Sequence, residues 1–96
     1  MTLRVARVRS TERFAAELRG AGPDVQSAAK SAIDRLLASP QSRSLRLHAL
    51  SGYGKPTVYK IDVMSNRAWQ ITFELDGDTA ILRRIARHKD LDRSPR

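Results

Sequence analysis

Ile81-Leu82-Arg83-Arg84-Ile85-Ala86-Arg87-His88-Lys89-Asp90 begins as an apolar strand and ends in a basic cluster holding one of the two histidines of a 96-residue chain. A strand that ends this way sets titratable and cationic groups at the rim of a sheet. Immediately upstream, Asp76-Gly77-Asp78 is a strong hairpin signal. It joins a strand running from Thr79 to about Arg87 to an earlier one at 68–75, where Trp69, Ile71, Phe73 and Leu75 share a face. Further back, Ser65-Asn66 is a tight turn. It follows a strand at 58–64 with Tyr59, Ile61 and Val63 on one side and Lys60 and Asp62 on the other. In the last strand Ile81, Arg83 and Ile85 share one parity, and Leu82, Arg84 and His88 share the other. Both sets are mixed, and a bulge would reassign them.

The front half has a different period. From Ser44, Leu45, Leu47 and Ala49 alternate with Arg46, His48 and Leu50, predicting a strand that gives way to a loop at 51–56. Before that, Val25, Ala29, Ala32, Ile33, Leu36 and Leu37 keep the three-and-four spacing of a helix. Gly22-Pro23-Asp24 opens this helix with proline at its first position, and Ser39-Pro40-Gln41 ends it. A shorter helix precedes it, capped by Ser10, carrying Phe14, Ala15 and Leu18 on one face and stopped at Gly20. Residues 3–8 read as a first strand, and the polar tail 90–96 as frayed. The order is β-α-α-β-β-β-β. It predicts a single α+β domain over 1–96, with a helical hairpin packed on one face of a mostly antiparallel sheet. The other face is then open, and it carries Lys60, Asp62, Arg67 and the end of the last strand.

Lysine and arginine number 18 against 10 acids, a net charge of +8, and 14 of the 18 are arginines. That balance favours an anionic partner, and arginine's planar fork tilts the choice towards nucleic acid. There is no cysteine, which excludes disulfides and thiolate metal sites and suits a reducing cytoplasm. Arginines interrupt the apolar residues of the N-terminus, leaving no signal-peptide core, and no apolar stretch is long enough to span a bilayer.

This order of elements resembles the RelE/ParE superfamily of toxins from type II toxin–antitoxin systems. The likeness covers nearly the whole chain. Besides length and basic charge, it rests on Leu50-Ser-Gly before a loop, Val58-Tyr-Lys-Ile-Asp-Val63, the turn Ser65-Asn66-Arg67 and the ending Ile85-Ala-Arg-His-Lys-Asp90. The resemblance implies a cytoplasmic toxin of the RelE/HigB-like branch, an mRNA interferase that cuts mRNA on the ribosome. It also implies a cognate antitoxin that holds the toxin in a hetero-oligomer through an acidic segment. The ParE-like alternative is a DNA gyrase inhibitor with no catalysis of its own.

RNA cleavage without a metal needs a base for the 2′-hydroxyl, an acid for the leaving oxygen, and cations around the phosphorane. His88 is the natural proton carrier. Arg67, Arg87 and Lys60 can supply positive charge, and by resemblance all four fall where the family keeps basic or catalytic groups. Arg83, Arg84, Lys55, Arg46 and Lys89 are candidate contacts to nucleic acid. His48 reads as a surface or packing residue. Tyr53 is either a stacking platform for a base or part of a connector. No cofactor and no metal are expected, because no ligand spacing supports one. The chain departs from the family at two points. No tyrosine follows His88, and Asp62 stands where the ribosome-cutting branch often has a second basic residue. That acid can pair with Arg67 or Lys60, or serve as a base.

Overall fold

A computed structural model describes residues 4–54, 57–64 and 68–95, with backbone alone at 51–54 and 92. Its elements are β1 (Arg7–Ser10), α1 (Glu12–Gly20), α2 (Pro23–Ala38), a 3-10 turn at Arg43–Leu45, β2 (His48–Gly54), β3 (Thr57–Asp62), β4 (Trp69–Asp76), β5 (Thr79–Arg87) and α3 (His88–Arg93). The five strands form one sheet in the order β1-β5-β4-β3-β2. β1 runs parallel to β5, and the other pairs are antiparallel. This is the expected α+β order with a short helix added at the end. The expected turn at Ser65-Asn66 and the loop residues Lys55 and Pro56 lie outside the described residues.

One face of the sheet carries the apolar core. Ile61, Ile71, Phe73, Leu82 and Ile85 pack with Phe14 of α1 and with Val25, Ala29, Ala32 and Leu36 of α2. Each fully buried Leu, Ile or Phe among them contributes about 1.5–3 kcal/mol. The N-cap of α1 is Thr11, one residue beyond the expected Ser10, which instead ends β1. The Thr11 hydroxyl accepts from Phe14 N at 3.2 Å and donates to Leu82 O at 2.9 Å, so one side chain both caps α1 and ties it to β5. Pro23 opens α2 as expected, and the Gln26 amide closes the corner by donating to Leu18 O and Ala21 O. Leu37, expected on the buried stripe, is exposed.

A bulge in β5 resolves the mixed parity of the last strand. The β4–β5 register shifts between Thr72 and Phe73, where Phe73 faces Leu82 and Thr72 faces Arg84. Arg83 is the extra residue. It lets Leu82 and Ile85 both face the helices while Arg83 and Arg84 both turn to the other side. At the β4–β5 hairpin, Gly77 has a φ of 62°, and only the first of the two central positions is left-handed. That is the II′ pattern, which needs glycine there.

Further expectations are corrected, beginning with the first strand, which spans Arg7–Ser10 rather than 3–8. The strand predicted from Ser44 starts at His48. Leu45 ends a 3-10 turn that plugs it fully into the core, and Arg46 follows in the left-handed region at φ 49°. The expected loop at 51–56 is backbone of β2 as far as Gly54. The tail expected to fray is docked: Leu91 and Pro95 are buried, and the Thr72 hydroxyl donates to Pro95 O at 2.5 Å. The second sheet face is not open either, and the tail covers the part of it around Thr72 and Arg84. Lys60, Asp62, Gln70, Thr72, Glu74 and Arg84 all lie on it and are all buried.

Candidate functional site

Buried charged and polar side chains are rare unless paired, so a sheet face made of them is the part of the molecule that needs explaining. Strand register sets its rows. His48 stands opposite Lys60, Lys60 opposite Thr72, and Thr72 opposite Arg84. In the next row Asp62 stands opposite Gln70, and Gln70 opposite Ala86. Among the described residues, no buried side-chain nitrogen or oxygen lacks a hydrogen-bond partner.

Two networks hold this face. At the β5 edge, the Arg84 guanidinium grips Glu17 of α1: Nε lies 3.2 Å from both carboxylate oxygens and Nη2 lies 2.6 Å from Oε2. Its Nη1 donates to Ser94 O at 2.7 Å, so the same side chain binds α1 and the tail to the sheet. The other Glu17 oxygen accepts from the Ile85 backbone N–H, beyond the end of the β1 pairing. Across one end of the sheet runs a chain of polar contacts. Arg46 Nε lies 3.6 Å from Asp62 Oδ2, Gln70 Nε2 donates to Asp62 Oδ1 at 2.8 Å, and His88 Nδ1 lies 3.0 Å from Gln70 Oε1. His88 starts α3, and its backbone N–H donates to Ala68 O at 3.2 Å.

The residues expected at the site divide accordingly. His88 is exposed at the end of the polar chain, and Lys60 is buried on the same face. Arg87, next to His88 in sequence, belongs to the other face. It pairs with Trp69, and its guanidinium carbon lies 5.7 Å from the Trp69 ring centre, within cation–π range. Arg67 and Lys55 lie outside the described residues, as does the side chain of Tyr53. Arg84 is committed to Glu17 and the tail, whereas Arg83 is half-buried with Nη1 3.9 Å from Glu74. Lys89 is exposed beside His88 and, with Ala68, Arg87, His88 and Asp90, borders a cavity of about 410 Å³. Arg46 is exposed and joins Arg35, Arg43, Ser44 and Asp62 around a second cavity of about 270 Å³. Asp62, whose partner was left open between Arg67 and Lys60, bonds Gln70 and faces Arg46.

Sequence reasoning missed Gln70, Arg35 and Arg43, while His48, read as a surface or packing residue, is exposed. His48 is a direct cross-strand neighbour of Lys60, and its Nδ1 lies 2.9 Å from Arg46 O. Its parity with Lys60 becomes visible only once β2 is known to begin at His48. Gln70 carried no signal beyond being the polar residue of an alternating strand.

A sheet of this order with two helices packed on one side is a fold shared with solved structures of YafQ and RelE toxins. Solved structures with this fold include the toxin of the E. coli DinJ–YafQ toxin–antitoxin complex, at 16% identity and a TM-score of 0.72 over 91% of this chain and 98% of that one. The RelB–RelE antitoxin–toxin complex of Methanococcus jannaschii gives 26% identity and a TM-score of 0.62 over 88% and 94%. The isolated E. coli RelE toxin gives 19% and 0.67 over 86% and 84%. No family model and no curated protein matches the sequence.

Proposed function

We propose that the chain is the toxin half of a toxin–antitoxin pair and that it cleaves messenger RNA on the ribosome. The observation that carries this reading is one sheet face on which His88 and Arg46 are linked through Gln70 and Asp62, with Lys60 and His48 paired beside them, in a fold whose solved examples are toxins. That face offers what 2′-hydroxyl attack on a phosphodiester requires. His88 moves a proton, and Lys60 and Arg46 stabilise charge on the phosphorane. Arg35 and Arg43, with Arg46, extend the cationic surface to neighbouring phosphates. Arg87 and Arg84 are left out of the chemistry, because one is stacked on Trp69 and the other braces Glu17 and the tail. The net charge of +8 suits both an RNA substrate and an antitoxin that docks through an acidic segment.

The test is to add the purified protein to a translating extract and analyse the ends of the messages. Cleavage driven by the 2′-hydroxyl leaves a 2′,3′-cyclic phosphate or 3′-phosphate and a free 5′-hydroxyl. Intact messages, together with gyrase-dependent DNA breaks in a supercoiling assay, would replace this reading with gyrase inhibition.

A further inference from the structure

We propose that Gln70 and Asp62 are positioning residues that fix which ring nitrogen of His88 carries its proton, and that proton exchange at this site therefore takes place at His88 Nε2. The proposal rests on His88 being the proton carrier of the reading above.

The far end of the polar chain sets the direction of every bond in it. An ionised carboxylate only accepts hydrogen bonds, whereas a carboxamide has one accepting and one donating end. Asp62 Oδ1 lies 2.8 Å from Gln70 Nε2, so the donating end of the amide is committed to Asp62. The accepting end, Oε1, is then the atom left facing His88 Nδ1 at 3.0 Å. An amide oxygen cannot donate, so Nδ1 must carry the hydrogen. A neutral imidazole has only one, which leaves the lone pair on Nε2. When His88 gains a proton it gains it at Nε2, and the Nδ1–H bond to Gln70 survives unchanged. The ring can cycle between its two states without disturbing the network that holds it.

Two further features keep the amide from flipping. Asp62 is itself held from the other side by Arg46, 3.6 Å from Oδ2. Asp62 and Gln70 are register partners on adjacent strands and both 4% exposed, so water competes poorly for either end of the amide. Without this arrangement a solvated imidazole favours the opposite tautomer, with the hydrogen on Nε2.

The ring nitrogens can be read directly by long-range proton–nitrogen correlation on the full ¹⁵N-labelled chain, without RNA, at a pH where His88 is neutral. The expected wild-type spectrum has a protonated, pyrrole-like Nδ1 and an unprotonated, pyridine-like Nε2 at His88. Gln70→Leu should shift His88 towards a mixture dominated by Nε2–H. Asp62→Asn is the sharpest variant: asparagine can donate as well as accept, which frees the amide to turn, and His88 should become mixed although Asp62 does not touch it. A wild-type His88 in the Nε2–H form would overturn the proposal whatever the variants do, as would Asp62→Asn and Gln70→Leu spectra identical to wild type in folded protein. Because the readout needs no substrate, an Nδ1–H ring in a protein that cuts no RNA would keep this proposal and remove only the ribonuclease reading.

Discussion

Alternate residues of β4 face two different kinds of interior. Ile71 and Phe73 meet the helices in an apolar core, whereas Gln70, Thr72 and Glu74 are just as shut off from water but meet carboxylates, a guanidinium and backbone carbonyls. The apolar side is held by packing that tolerates small rearrangements. On the polar side each group must find its partner, because an unpaired one has a large cost. Both faces hold the fold, and the proposed chemistry belongs to the second. Substitutions on each face can separate the two.

The largest expected effect is on the apolar side. Phe73→Ala empties a fully buried site and should lower unfolding stability by about 3–5 kcal/mol in a denaturant titration. Glu17→Ala should follow, at about 3 kcal/mol, because it leaves the buried Arg84 guanidinium without its carboxylate. A Glu17→Ala loss close to zero would mean that the polar face contributes nothing to holding the fold. Thr72→Val removes only the hydroxyl that holds Pro95 O and should cost about 1 kcal/mol. Its clearer sign would be faster hydrogen exchange and proteolysis confined to the tail. Arg83→Ala should be smallest, within about 0.5 kcal/mol, since its 3.9 Å pair with Glu74 is long and partly solvated.

The apolar face was legible in the sequence because periodicity reports directly on burial. The α2 stripe, the alternation of β4 and the end of β5 at Arg87 all follow from it. The polar face was not, because alternation distinguishes polar from apolar, not exposed from buried. Lys60, Asp62 and Gln70 read as a solvent side, and nothing local to them announces the tail that covers part of their face. That tail is itself mostly polar; it docks through one leucine, one proline and backbone carbonyls, which carry no side-chain signal. Leu45 misled for a related reason. Its spacing fits a strand, but a 3-10 turn puts the same residue into the core. The double arginine of β5 could be read only as ambiguous, since a bulge adds one residue and changes the parity of everything beyond it.

Arg87 and His88 are consecutive in the chain and border one cavity, yet their side chains hold different partners, one lying over Trp69 and the other bonding Gln70. They therefore allow the most direct test of the claim that the polar face does the chemistry. The measurement is the rate of message cleavage in one translating extract by wild type, His88→Ala and Arg87→Ala, at matched folded concentration. The account predicts a loss of at least about a hundredfold for His88→Ala and little change for Arg87→Ala. Equal losses in the two variants, or undiminished cleavage by His88→Ala, would contradict it.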